Sequence, residues 1–105
     1  MIDSRTIRIA DHYGYNRQVN QLVEEMAELA VALCKEQRLQ PQDGETFWDY
    51  SERAWEIFDN IKEEIADVQL VLEQLIYLLK CANEVAAIKE KKIVRTLQRI
   101  DKGMN

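Results

Sequence analysis

The sequence predicts an all-α fold, a four- to five-helix bundle with two antiparallel helices at its centre, built to oligomerise. Three observations carry this. Only three Gly and one Pro occur in 105 residues, too few to punctuate a turn-rich chain. Apolar residues recur at three- and four-residue intervals through long stretches, the period of a helix. Two of these stretches are apolar on more than one side, as central elements of a bundle are. The length of 105 residues suits a single domain spanning 1–105. A lone bundle of this size has a modest core, which makes association favourable.

Each element has its own signals. A first helix is expected from about Ser4 to Tyr13, capped by Asp3 or Ser4 and ended by Gly14. Asn16 is a candidate cap for a second helix running to about Arg38. Its apolar stripe is Val19, Leu22, Val23, Met26, Leu29, Ala30 and Leu33, with Glu25 at the flank and Glu24, Glu28, Val31 and Lys35 on another side. Residues 39–45 contain Pro41 and Gly44 and form the clearest loop. Thr46 or Asp43 caps a short third helix carrying Phe47, Trp48, Tyr50, Trp55 and Phe58. A long fourth helix is expected from about Ile61 to Cys81, with the stripe Ile61, Ile65, Val68, Leu72, Leu75, Ile76 and Leu79. Asn83 is the expected cap of a fifth helix with Val85, Ile88, Ile93, Leu97 and Ile100. There is no internal repeat and no low-complexity tract.

Composition narrows the function. Net charge is −5 and the pI about 4.9, against the basic surface that binding to a nucleic-acid polymer requires. A nucleotide ligand remains compatible, because a metal bridges carboxylates to phosphates. Cys34 and Cys81 lie in apolar helical contexts and are expected to be reduced core thiols of a cytoplasmic protein. The N-terminal residues lack the apolar stretch of a signal peptide. Glu73 and Gln74 interrupt the best apolar run, so no membrane span is expected.

The chemistry concentrates in two acidic clusters, Glu24-Glu25-Met26-Ala27-Glu28 and Glu63-Glu64-Ile65-Ala66-Asp67. Each places two carboxylates three residues apart, neighbours on a helix surface. Both lie within apolar sequence, where unpaired carboxylates are costly. Two helices each presenting such a pair offer four oxygen ligands to a hard divalent cation, Mg²⁺ or Mn²⁺. Glu24 and Glu63 are then spare acids for a further metal or for taking a proton from water. A di-iron carboxylate site is disfavoured, because it needs Glu-x-x-His pairs and the only histidine is His12, at a helix end.

The strings QLVEEMAELAVAL and IKEEIADVQLVLEQL, around these clusters, resemble the two central helices of the MazG-like all-α nucleoside triphosphate pyrophosphohydrolases, whose signature is EExxE…ExxD. The resemblance covers about half the chain. It implies hydrolysis of a nucleoside triphosphate between the α and β phosphates, giving a monophosphate and pyrophosphate. It implies Mg²⁺ held by Glu25, Glu28, Glu64 and Asp67, with Glu24 as an auxiliary acid, in a homodimer or dimer of dimers. The segment between Glu28 and Glu64 is longer than in the shortest members. Near the phosphates, members often carry a Lys and an Asn/Arg element; here Lys89, Lys91, Lys92 and Arg95 are available, of which Lys92 and Arg95 are the candidate substrate contacts. Two other readings stand beside it: a hydrolase of a related nucleotide such as phosphoribosyl-ATP, and a non-catalytic helical oligomerisation or regulatory module.

Three further side chains are candidates for substrate. Trp48 and Trp55 offer flat faces for a nucleobase, or fill a core or subunit interface. Lys35 lies about two turns beyond Glu28 on a similar face, in reach of a phosphate, or is a surface lysine lying along the helix.

Overall fold

The computed structural model describes residues 1–103. These form four helices and no strand: α1 (Ser4–Tyr13), α2 (Tyr15–Gln37), α3 (Phe47–Leu78) and α4 (Ala82–Asp101). The Asp3 carboxylate caps α1, accepting the Arg5 N–H at 2.8 Å. Gly14, at φ 83°, turns the chain directly from α1 into α2, a conformation that a side chain disfavours. Its carbonyl already accepts the Gln18 N–H, so Asn16 sits inside the first turn of α2 and does not cap it. The Thr46 hydroxyl caps α3 by accepting the Asp49 N–H at 3.1 Å. Arg53 folds the preceding loop onto α3, donating to the Gln40 carbonyl and the Glu45 carboxylate.

The expected third and fourth helices are one, the 32-residue α3. No Gly or Pro occurs between Thr46 and Leu79, and Asp59-Asn60 alone does not stop a helix that packing supports. The last helix begins at Ala82, so Asn83 is a first-turn residue and not its cap. Lys80, at φ 54°, takes the left-handed position that ends α3, a role that usually falls to Gly.

α2 and α3 pair antiparallel. Gln18 donates to Gln74 at 2.5 Å in the core. Farther along, Glu28 and Ala32 share a groove with Glu64 and Asn60. The pairs 18/74, 28/64 and 32/60 therefore keep one register over four turns. On α2 the inward row is Gln18, Leu22, Glu25, Leu29, Ala32 and Glu36; on α3 it is Ile57, Ile61, Glu64, Val68, Val71, Leu75 and Leu78, all buried or half-buried. Both alternate steps of three and four, the spacing that lets two helices interlock. α1 packs on both near the Gln18–Gln74 end, burying Thr6 and Ala10, and Tyr77 donates to Asp11 at 2.8 Å.

This row differs from the expected stripes. Val23, Met26 and Leu33 on α2, and Ile65, Leu72 and Leu79 on α3, are exposed. At about 100° per residue, they lie roughly a quarter-turn or more from the inward rows. Because the helices are antiparallel, both displaced stripes fall on the same side and make one apolar face. α1 and the acidic residues Glu24, Glu28, Glu63 and Asp67 lie toward the other side. Cys34 is exposed and Cys81 half-buried, so the expectation of two core thiols fails for Cys34: it points away from the α3-facing row. No described helix is long and apolar enough to cross a membrane.

The buried amide pair yields a measurable consequence. Gln74→Leu leaves Gln18 buried without its acceptor and should lower unfolding stability by about 1–3 kcal/mol. The double change Gln18→Leu/Gln74→Leu should recover most of that loss in urea titrations. Separately, Lys80→Gly removes a left-handed side chain and should raise stability by about 0.5–1 kcal/mol.

Candidate metal centre

Glu25 and Glu64 occupy inward positions that leucine or valine fills elsewhere in the rows. They sit there because each helix brings its acidic cluster to the same level of the antiparallel pair. Glu28 joins them from the next turn of α2. One carboxylate oxygen from each of Glu25, Glu28 and Glu64 lies within 4.8 Å of the others. Asp67 is outside this trio but close enough for its charge to act on Glu25.

The trio is poorly compensated by the protein itself. Gln21 donates to Oε1 of Glu25 at 2.7 Å. Oε2 of Glu25 and Oε2 of Glu64 are shut off from solvent and accept no hydrogen bond. Burial pushes the Glu25 carboxyl above the ordinary glutamate range. The Gln21 hydrogen bond opposes that shift, and the negative charges of Asp67 and Glu28 add to it. Unpaired carboxylate oxygens at such a site cost free energy unless a cation meets them. An all-oxygen, all-carboxylate set fits a hard divalent ion, Mg²⁺ or Mn²⁺, and suits neither zinc nor iron as well.

The site opens onto a groove of about 310 Å³ lined by Ala27, Glu28, Val31, Ala32, Asn60 and Glu64. Asn60 was missed by sequence reasoning. Its only signal is its place one turn before Glu64 on the same side of α3. Lys35 lies on this open side, two turns from Glu28. Glu24 and Glu63 stand on the rims of the same side and are exposed.

The remaining candidates lie elsewhere in the subunit. Trp48 and Trp55 are 78% and 73% exposed. Trp55 precedes Glu64 by nine residues, two and a half turns, and so points to the opposite side of α3. Neither indole lies over the carboxylates of its own chain, and neither fills the core. Lys92 and Arg95 ride on α4, which buries no residue and does not pack along α2; they too are separate from the cluster within one chain.

Comparison with family models, curated proteins and solved structures returns no match.

The raised Glu25 carboxyl sets a pH dependence. Its folded-state pKa lies above the unfolded value, so the folded state holds this proton more tightly. Stability of the metal-free protein should therefore rise as pH falls from neutrality through the folded pKa. Glu25→Gln should melt at a higher temperature than the parent at pH 7 without metal. The advantage should vanish below the ordinary glutamate range, where Glu25 is protonated in both states. Melting curves from pH 3 to 8 check both.

Proposed function

We propose that this chain is a Mg²⁺-dependent nucleoside triphosphate pyrophosphohydrolase of the MazG-like kind, acting as a homo-oligomer. The observation that carries the reading is the convergence of Glu25, Glu28 and Glu64 from two helices, with two buried carboxylate oxygens unpartnered. The EExxE…ExxD pattern supplies the reaction type. Pyrophosphohydrolysis needs a water to attack the α phosphorus as the α–β anhydride bond breaks. The polyphosphate is anionic, and four fixed carboxylates repel it unless a cation lies between.

Glu25, Glu28 and Glu64 are the residues to hold that cation, with Asp67 beside them. When bound, a divalent ion neutralises phosphate charge and polarises a phosphoryl oxygen. The chain supplies the rest. The pairing of α2 with α3 fixes the ligands, so little reorganisation accompanies the reaction. Glu24 and Glu63, on the open side, are carboxylates available to take the proton of the attacking water. Asn60 lines the groove, and Lys35 lies two turns from Glu28 on the same side of α2; both offer donors for phosphate oxygens. Trp48, Trp55, Lys92 and Arg95 reach substrate only if another subunit brings them.

A specific observation favours a second reading. The exposed apolar residues along α2, α3 and α4 suit a helical oligomerisation module in which the carboxylates only bind a cation.

Pyrophosphate release separates the two. With Mg²⁺ or Mn²⁺ and a panel of nucleoside triphosphates plus phosphoribosyl-ATP, the parent should release pyrophosphate. Glu28→Gln and Asp67→Asn should each reduce release by a hundredfold or more, with melting temperature without metal unchanged or raised. Absence of release across the panel favours the module. Retained activity in both variants removes the carboxylates from catalysis.

A further inference from the structure

We propose that α4 is an exchanged arm: the α4 of one copy packs along the apolar face of α2 and α3 of a second copy and receives that copy's α4 in return. This builds on the homo-oligomer reading above and assigns the element that crosses. The joint at its base is fixed. Leu79, Lys80 and Cys81 each donate a backbone hydrogen bond back to the last turn of α3, and the Val85 N–H donates to the Cys81 carbonyl. So ordered a turn sets the direction of α4, and that direction leads away from its own α2.

As it stands, α4 is a 20-residue helix without a buried residue. Most of a helix's stability in a protein comes from packing its apolar face, and α4 has no such packing in its own chain. Ile93, Leu97 and Ile100 form a row along one side and are 50%, 54% and 61% exposed. The α2–α3 pair has the matching deficit, with Val23, Met26, Leu33, Ile65 and Leu72 exposed on one face. Arm and receiving face therefore occur on the same chain, and a single two-fold operation covers both.

Charge favours the same occupant. Residues 82–102 carry six basic and three acidic side chains, a net +3 in a chain of net −5. The remaining 81 described residues before them are thus net −8. At long range a basic arm is attracted to an acidic body, and the direction of α4, which makes no packing along its own α2, leaves that of another copy. The area agrees as well. The subunit exposes 8650 Å², against about 6,100 Å² for a compact monomer of its mass. The excess, roughly 2,500 Å² per subunit or about 5,000 Å² for a pair, falls in the upper part of the range of interfaces between obligate partners.

The test uses the full chain with Cys34→Ser and Cys81→Ser. One tagged version carries Met26→Cys and a differently tagged version carries Leu97→Cys. The two are co-expressed, purified through both tags and oxidised. The expected result is a disulfide between the two different chains, at least tenfold over the same-site disulfide that either version gives when expressed and oxidised alone. Sedimentation of the parent at micromolar concentration should give a dimer or a multiple of it. Ile93→Asp/Leu97→Asp should sediment as a monomer that keeps most of its helical circular dichroism; should that variant unfold, the disulfide pattern decides alone. A monomeric parent overturns both the arm and the oligomer. An oligomer linked through Met26–Met26 or Leu97–Leu97, or one giving no disulfide between the two positions, overturns the arm and leaves an oligomer. In a third version that carries both Met26→Cys and Leu97→Cys, a link within one chain shows that α4 folds onto its own body and overturns the arm as well.

Discussion

The antiparallel seam between α2 and α3 is the constraint on which the rest depends. It aligns Gln18 with Gln74 and Glu28 with Glu64, and every other feature follows from that register. α1 finds its place because the Gln18–Gln74 end offers a corner between two helices. The acidic clusters meet because they lie at the same level of the seam. A slip of one turn, about 5.4 Å, would separate the carboxylates and strand both buried amides. The Gln18–Gln74 bond is thus a positional device. An amide in an apolar seam tolerates few registers, because every wrong one leaves it without a partner.

The same seam places a cost at its centre. Glu25 and Glu64 take inward positions, and each leaves one oxygen without a partner. A sequence selected for packing alone would put leucine there. The penalty is local and electrostatic, of the kind a bound cation would cancel. On the proposed function, an ion that binds the folded pair of helices, and has no comparable site in the unfolded chain, would stabilise the fold by mass action. The groove beside the trio has an apolar wall of Ala27, Val31 and Ala32 and polar groups from Asn60, Glu28 and Glu64, a combination suited to an anionic ligand carried by a cation.

The molecule is two-sided. One side of the α2–α3 pair is acidic and open; the other is apolar and unpaired. The Cα radius of gyration is 18.6 Å, against about 13 Å for a compact chain of this length. The difference reflects α4, which leaves the body, and a body with too few layers to cover its own helices. The exposed indoles of Trp48 and Trp55 belong to this picture. They lie on the outer side of α3, open to solvent.

How much was legible differs from feature to feature. The sequence by itself determined that the chain is helical, where α1 starts and ends, the loop at Pro41 and Gly44, the Thr46 cap, and the pairing of acids along each helix. These are local matters, settled by backbone freedom, capping and period, save that the choice of Thr46 over Asp43 as the cap came from the structure. The sequence also pointed to Glu25, Glu28, Glu64 and Asp67 as one site, of which the structure gathers the first three and leaves Asp67 outside the group. What only the tertiary structure decided is which side of each helix faces in. α2 and α3 are apolar on two sides, so periodicity offers two stripes and no ground for choosing. Val23, Met26 and Leu33 were expected in the core and lie outside; Gln18 and Gln74, which belong to neither expected stripe, are buried. The continuity of α3 through Asp59-Asn60, the separation of Trp48 and Trp55 from the carboxylates, and the detachment of α4 follow from the same cause. Each depends on which partner a helix meets across space, and a local pattern carries no record of that partner.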